Sequence, residues 1–422
     1  MGAEHPQEME EEKGGQIVDE AREVEKESGV VEPWPLLRFD FPPRRLYHFS
    51  RQFRTKTRTS NPSDNNNFLK GVKWSPDGSC FLTSSDDNTL RLFCLSPETA
   101  CHVERDAAVD GEDSYVANLI VSEAEPVYDF CWYPYMSVSD PTTCVFASTT
   151  RDHPIHLWDA VTGQLRCTYR AYDAMDEITA ALSVSFNSSG TKLFAGYNKS
   201  IRIFDVHRPG RDFEQYSLLK GNDGPSGIVS SISFSPTHCG MLAVGSYSQT
   251  TAVYAEANME PLYVLHGQAG GVTQVLFSKD GTCLYTGGRK DPYILCWDIR
   301  NTVDIVYKLY RSSENTNQRI AFDIEPYGRH LATGGQDGLV HVYDLQSGQW
   351  ITAFQAASDT INGFSFHPSL PLAASSSGHR RFGIVDNFEE NLSFHGDENC
   401  ASVWMFPYSL EVENAATSNF EA

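Results

Sequence analysis

Seven times along the chain a short β-rich segment ends in an aromatic residue, usually followed by Asp. The copies are Leu-Arg-Leu-Phe at 90–93, Ile-His-Leu-Trp-Asp at 155–159, Ile-Arg-Ile-Phe-Asp at 201–205 and Thr-Ala-Val-Tyr at 251–254. They continue as Ile-Leu-Cys-Trp-Asp at 294–298, Val-His-Val-Tyr-Asp at 340–344 and a degenerate Phe-Gly-Ile-Val-Asp at 382–386. About 20 residues upstream of each lies a second strand running into a turn, as in Val-Lys-Trp-Ser-Pro-Asp-Gly at 72–78 and Val-Leu-Phe-Ser-Lys-Asp-Gly at 275–281. A third apolar stretch separates the two, for instance Leu193–Gly196 and Leu331–Gly334. The repeat spans roughly 42 to 65 residues, around the length of one propeller blade.

One such antiparallel sheet cannot bury both faces. Seven standing radially pack face to face and leave only short edges. The pattern therefore predicts an all-β, seven-bladed propeller over residues 67–390, with no helix-length periodicity to compete. Ring closure calls for a strand from the other end of the chain. The basic segment 33–66 supplies a candidate in Leu46–Phe53. The aromatic and Asp residues that end the repeats read as structural, the ring packing between blades and the Asp capping a turn. His156, His341 and His367 recur at blade positions and read the same way.

The net charge of −22 at first argues against a nucleic-acid partner. Its distribution reverses that. Residues 1–32 carry −8, residues 98–125 carry −7 and residues from Asp386 to the end carry −8, so the remainder is close to neutral. The first and last of these predict disordered acidic tails at 1–32 and 391–422, and 98–125 predicts an acidic loop inserted in the ring. Residues 33–73 hold nine bases against two acids. Within them Arg44, Arg45, Arg51, Arg54, Lys56 and Arg58 form a basic flank suited to phosphate contact or nuclear import.

No zinc-hydrolase, phosphate-loop or nucleophile-elbow motif occurs, and Thr-Gly-Gly-Gln-Asp-Gly at 333–338 reads as a strand turn. No catalytic residue, cofactor or metal is expected. Ten cysteines without a Cys-x-x-Cys pair read as reduced thiols, and an acidic start with no run of 18 apolar residues predicts a soluble intracellular protein without membrane or small-molecule partners.

The loops joining second and third strands, with the residues preceding each first strand, rim one face of the ring. They carry Lys70, Arg151, Lys199, Arg289, Lys290 and Arg319, with Phe68, Tyr128, Tyr197 and Tyr247 nearby. Cations on phosphates and aromatics on splayed bases make the usual cradle for single-stranded RNA. The acids Asp87, Asp152, Asp176, Glu177 and Asp291 lie close enough in sequence to neutralise several of these bases. A protein-binding face stays open beside the RNA reading.

Stretches beyond the generic repeat resemble the telomerase Cajal body protein family of WD-repeat proteins. They include Asn-Phe-Leu-Lys-Gly-Val-Lys-Trp at 67–74, Tyr-Asp-Phe-Cys-Trp-Tyr at 128–133 and Tyr-Arg-Ala-Tyr-Asp at 169–173. Arg-Pro-Gly-Arg-Asp at 208–212, Arg-Lys-Asp at 289–291 and Thr-Asn-Gln-Arg-Ile at 316–320 add to them, and the likeness covers roughly residues 67–380. The resemblance implies a non-catalytic adaptor that recognises a short box in small Cajal body RNAs and telomerase RNA. It further implies ribonucleoprotein partners, including telomerase components, and residence in the nucleus at the Cajal body.

Overall fold

The computed structural model describes residues 35–53, 67–95, 116–218, 224–237, 240–380 and 398–409. They form seven four-stranded antiparallel sheets, one per repeat. Blade 1 runs through Leu69–Trp74, Cys80–Ser85, Thr89–Cys94 and Leu119–Ser122. Blades 2 to 6 begin with the inner strands Val127–Trp132, Ser183–Phe186, Val229–Phe234, Val272–Phe277 and Phe322–Ile324. Blade 7 holds Ile361–Phe366, Leu372–Ser377, Ala401–Met405 and, as its outer strand, Arg44–Phe49. Among the described residues the only helical turn is Arg51–Phe53.

The core is divided into seven clusters, one between each pair of neighbouring blades. Phe194, Ile201, Val229, Leu242 and Val244 fill the space between blades 3 and 4. Phe81, Phe93, Val72, Phe49, Ala374 and Val403 do so between 7 and 1. Second strands are sandwiched on both faces, so Cys80–Ser85, Val145–Thr150 and Leu372–Ser377 are buried throughout.

Hydrogen bonds between inner strands complete the ring. Lys73 Nζ reaches Asp129 Oδ1 at 3.3 Å, and the other oxygen of Asp129 accepts from Val184 N at 3.1 Å. Ser183 Oγ donates to Val229 O, Val275 N to Ser231 Oγ, and Gln274 exchanges two bonds with the backbone of Phe322. Phe366 N donates to Asp323 Oδ2 at 2.8 Å, and Asn362 Nδ2 to Leu69 O at 2.7 Å. Every interface from 1/2 round to 7/1 is thus bridged.

Three expectations change. The ring does not stop at residue 390: Ala401–Met405, inside the expected acidic tail, is the third strand of blade 7, where Trp404 Nε1 donates to Ser375 Oγ at 2.8 Å. The acidic average of the segment concealed its short apolar Ala-Ser-Val-Trp-Met core. The copy assigned to 382–386 lies outside the described residues, as do the tail 1–32 and the bases Arg54, Lys56 and Arg58. Likewise 98–125 is not all loop, because Leu119–Ser122 pairs with Thr89–Leu92 and turns Val121 inward. Finally, the strand pairing with Ala401–Met405 is Arg44–Phe49 rather than Leu46–Phe53.

Candidate nucleic-acid interface

The inner strands begin with a repeated irregularity. Register shifts fall between Leu69 and Gly71, Val127 and Asp129, Val229 and Ser231, Val272 and Gln274, and Ile361 and Gly363. A bulge leaves one residue outside the ladder and re-aims its side chain. Two of these residues, Lys70 and Tyr128, are expected site residues. The turns between second and third strands are uniform too. Asn88, Asp152, Lys199, Gln249 and Lys290 all have φ between 53° and 66°. Those left-handed corners hold Lys199 and Lys290 exposed to solvent.

Four expected residues from four blades meet at this end of the channel. Tyr247 follows the second strand of blade 4, Arg289 that of blade 5, Arg319 precedes blade 6 and Tyr128 opens blade 2. The Tyr247 hydroxyl accepts from Arg289 Nη2 at 3.2 Å and from Arg319 Nε and Nη2 at 3.0 and 2.7 Å. Both guanidiniums also lie over the Tyr247 ring, at 4.9 and 5.6 Å from its centroid. Arg319 Nη1 reaches across to Tyr128 O at 3.4 Å.

Among the described residues no carboxylate lies within ion-pair distance of Arg289 or Arg319. Asp291, two residues from Arg289, instead accepts from Gln268 Nε2 and the amides of Ala269 and Tyr293, which fold its own turn. The Nε of Arg289 is buried without a hydrogen-bond partner among the described residues. Two cations thus share a phenol and leave donors unneutralised, an arrangement suited to an anionic group such as phosphate.

The other expected residues are not brought into this cluster. Lys70 pairs with Asp86 at 3.1 Å and Arg151 with Asp152 at 3.3 Å. Phe68 and Tyr197 are buried, 7% and 5% exposed, and cannot stack on a base. Tyr197 lies beneath the buried Arg202, whose guanidinium sits 4.5 Å from its ring centre. Of the expected acidic partners, Asp87 binds Arg91 and Asp176 binds Arg211.

Sequence reasoning missed Arg311, 1% exposed. Its Nη1 donates to Ile320 O at 2.8 Å and its Nη2 to Gly288 O, the carbonyls directly beside Arg319 and Arg289. Burial pushes this guanidinium down to about 10, still charged at neutral pH. Gln318 was also missed as an anchor: its Nε2 donates to Asn362 Oδ1 and Gly378 O, tying the Thr-Asn-Gln-Arg stretch to blade 7. Nothing in the repeat marks Arg311, because its partners are backbone carbonyls from other strands.

Two inner-strand carboxylates are occupied structurally. Asp129 and Asp323 receive backbone amides from the next blade. Seven four-stranded sheets closed in a ring define a propeller of the WD-repeat class. The model of the WD domain, G-beta repeat, matches residues 56–94, 259–298 and 310–344. Telomerase Cajal body protein 1 of Homo sapiens is 43% identical over 326 residues, covering 75% of this chain and 58% of that protein. The Drosophila melanogaster homolog is 34% identical over 337 residues, 78% of this chain and 60% of the relative. The guanine nucleotide-binding protein negative regulator 1 of Schizosaccharomyces pombe is 30% identical over 296 residues, covering 68% and 73%. The chain belongs to the telomerase Cajal body protein family of WD-repeat proteins. It spans about three-fifths of the length of the animal relatives.

Proposed function

We propose that this chain is a non-catalytic RNA-binding adaptor. It recognises a short box in small Cajal body RNAs and telomerase RNA, promotes their localisation to the Cajal body, and assists telomerase assembly and trafficking. Its residence is the nucleus, at the Cajal body, and its partners are those RNAs and the proteins of their ribonucleoproteins, telomerase components among them.

The observation that carries this reading is the Arg289–Tyr247–Arg319 cluster, two cations at one channel mouth with no carboxylate of the described residues in ion-pair reach. On this reading the arginines neutralise phosphates, while Tyr128 and Tyr247, both partly exposed, flank the bases. Lys199 and Lys290 supply further positive charge at the rim.

The test is ultraviolet crosslinking of the full chain to a guide RNA with an intact box, followed by mapping of the modified peptides. Adducts on peptides containing Tyr128, Tyr247 or the 316–320 stretch, competed by intact but not scrambled box RNA, are expected. Protein partners retained after nuclease treatment, with no RNA adduct on this chain, would establish a protein scaffold instead.

A further inference from the structure

Where the two ends of the chain meet in blade 7, three chemically different donors converge. His48 lies on the outer strand Arg44–Phe49, opposite Ser402 on Ala401–Met405. Glu398 and Cys400 lead into Ala401–Met405 from its N-terminal side. One ligand atom from each of His48, Glu398 and Cys400 lies within 4.8 Å of the other two. His48 Nε2 and Glu398 Oε1 are 3.4 Å apart. Two light-atom ligands of one tetrahedral ion, with bonds of about 2.0–2.1 Å, stand about the same distance apart.

The groups behind these donors are also in place. His48 Nδ1 hydrogen-bonds Ser402 Oγ at 3.1 Å, which turns Nε2 toward the carboxylate. The other oxygen of Glu398 accepts from Ser358 N and Oγ at 2.8 and 3.0 Å, leaving Oε1 directed at the imidazole. Cys400 is 2% exposed, its sulfur 3.1 Å from Ser377 Oγ and its amide bonded to the same hydroxyl.

We propose that His48, Glu398 and Cys400 bind a divalent transition metal of the zinc type, which fastens the N-terminal closing strand to the C-terminal strand of blade 7. Imidazole, thiolate and carboxylate together suit zinc better than magnesium or calcium, which take oxygen donors. Three protein ligands leave the fourth position for water. Binding replaces the thiol proton with the metal, so loading releases a proton to solvent. The spacing rules for zinc motifs miss this site because its donors come from opposite ends of the chain.

Co2+ serves as a spectroscopic stand-in for zinc. Titrated into the full, chelator-treated chain, it should saturate at a single equivalent with a thiolate-to-metal charge-transfer band, which Zn2+ then removes. Cys400→Ser should abolish the band, and Ser402→Ala should weaken binding by about tenfold or more. Zinc should raise the thermal midpoint of the wild-type chain. Absence of the band, or a band that survives Cys400→Ser, overturns the assignment. Should Cys400→Ser fail to fold, Glu398→Gln, nearly isosteric, decides: weaker Co2+ binding supports the site and unchanged binding rejects it.

Discussion

Arg319 and Tyr247, on neighbouring but one blades, are joined by two hydrogen bonds of 3.0 and 2.7 Å from one guanidinium to one phenol oxygen. The same oxygen holds Arg289. Tyr247→Phe keeps the ring and its cation–π contacts but removes the shared acceptor. Without the shared acceptor the two guanidiniums lose their common geometry, so RNA affinity should fall about tenfold, ~1.4 kcal/mol, while loss of the intramolecular bonds lowers the thermal midpoint by a few degrees only. Fluorescence anisotropy with labelled box RNA reads this directly. Unchanged affinity would show that the phenol does not organise the arginines for binding.

Closure of blade 7 depends on Ala401–Met405, the strand that pairs with both Leu372–Ser377 and Arg44–Phe49. A chain ending at residue 390 loses Trp404 from the core between blades 6 and 7, together with Val403 from that between 7 and 1. It should show a broadened thermal transition and expose apolar surface to a dye such as ANS. A truncated chain with the wild-type midpoint and no dye binding would mean that the ring closes without this strand.

Glu123 is 8% exposed and accepts from Ser148 Oγ, Trp158 Nε1 and His156 Nδ1. Burial pushes its carboxyl up, but the bonds from His156 and Ser148 outweigh this and hold it below the usual range. Glu123→Ala takes the acceptor from Ser148 Oγ and His156 Nδ1, Trp158 Nε1 keeping its bond to Ser148 Oγ at 2.8 Å, and should cost about 2 kcal/mol of unfolding free energy. Urea denaturation measures it. A loss below about 0.5 kcal/mol, the scale of an ordinary surface substitution, would contradict this role.

Much of this architecture is readable in the sequence, because strand, turn and aromatic recur at fixed offsets. Where the reading stops, the cause is specific. Ala401–Met405 and Glu123 sit in segments whose average composition is acidic, so composition alone reads a buried strand and a buried carboxylate as solvated chain. At the site, Tyr247, Arg289 and Arg319, named from their position in the repeat, lie within hydrogen-bonding distance of one another. Position does not reveal that Phe68 and Tyr197 face inward, because strand ends twist and the direction of a side chain depends on the adjacent blade. Arg311 leaves no trace, since its partners are carbonyls. The two non-generic stretches at 169–173 and 208–212 meet each other, with Arg211 stacked 3.9 Å from the Tyr172 ring centre.

The joint between blades 7 and 1 should weaken in acid. His367 Nε2–H donates to Gly78 O at 2.9 Å, while Nδ1 accepts from the amides of Ser369 and Leu370. Burial pushes the imidazole down to about 4, against the opposing pull of the Gly78 bond. The fold therefore favours the neutral ring. Its contribution is complete above the unfolded value near 6.5 and is lost as pH falls through about 4, a span worth about 3 kcal/mol. Wild-type stability should decline over that window, and His367→Phe should flatten the decline even though it lowers stability at pH 7. Parallel curves for the two proteins would assign the acid sensitivity elsewhere.

The salt dependence of RNA binding by the full chain, compared with an Arg289→Ala/Arg319→Ala variant, bears most directly on the phosphate cradle. Each phosphate neutralised on a single strand contributes about 0.7 to the slope of log affinity against log salt. Loss of two contacts should lower the slope by about 1.4 and weaken binding at physiological salt, with the ring still folded. An unchanged slope and affinity would contradict the assignment of these two guanidiniums to RNA.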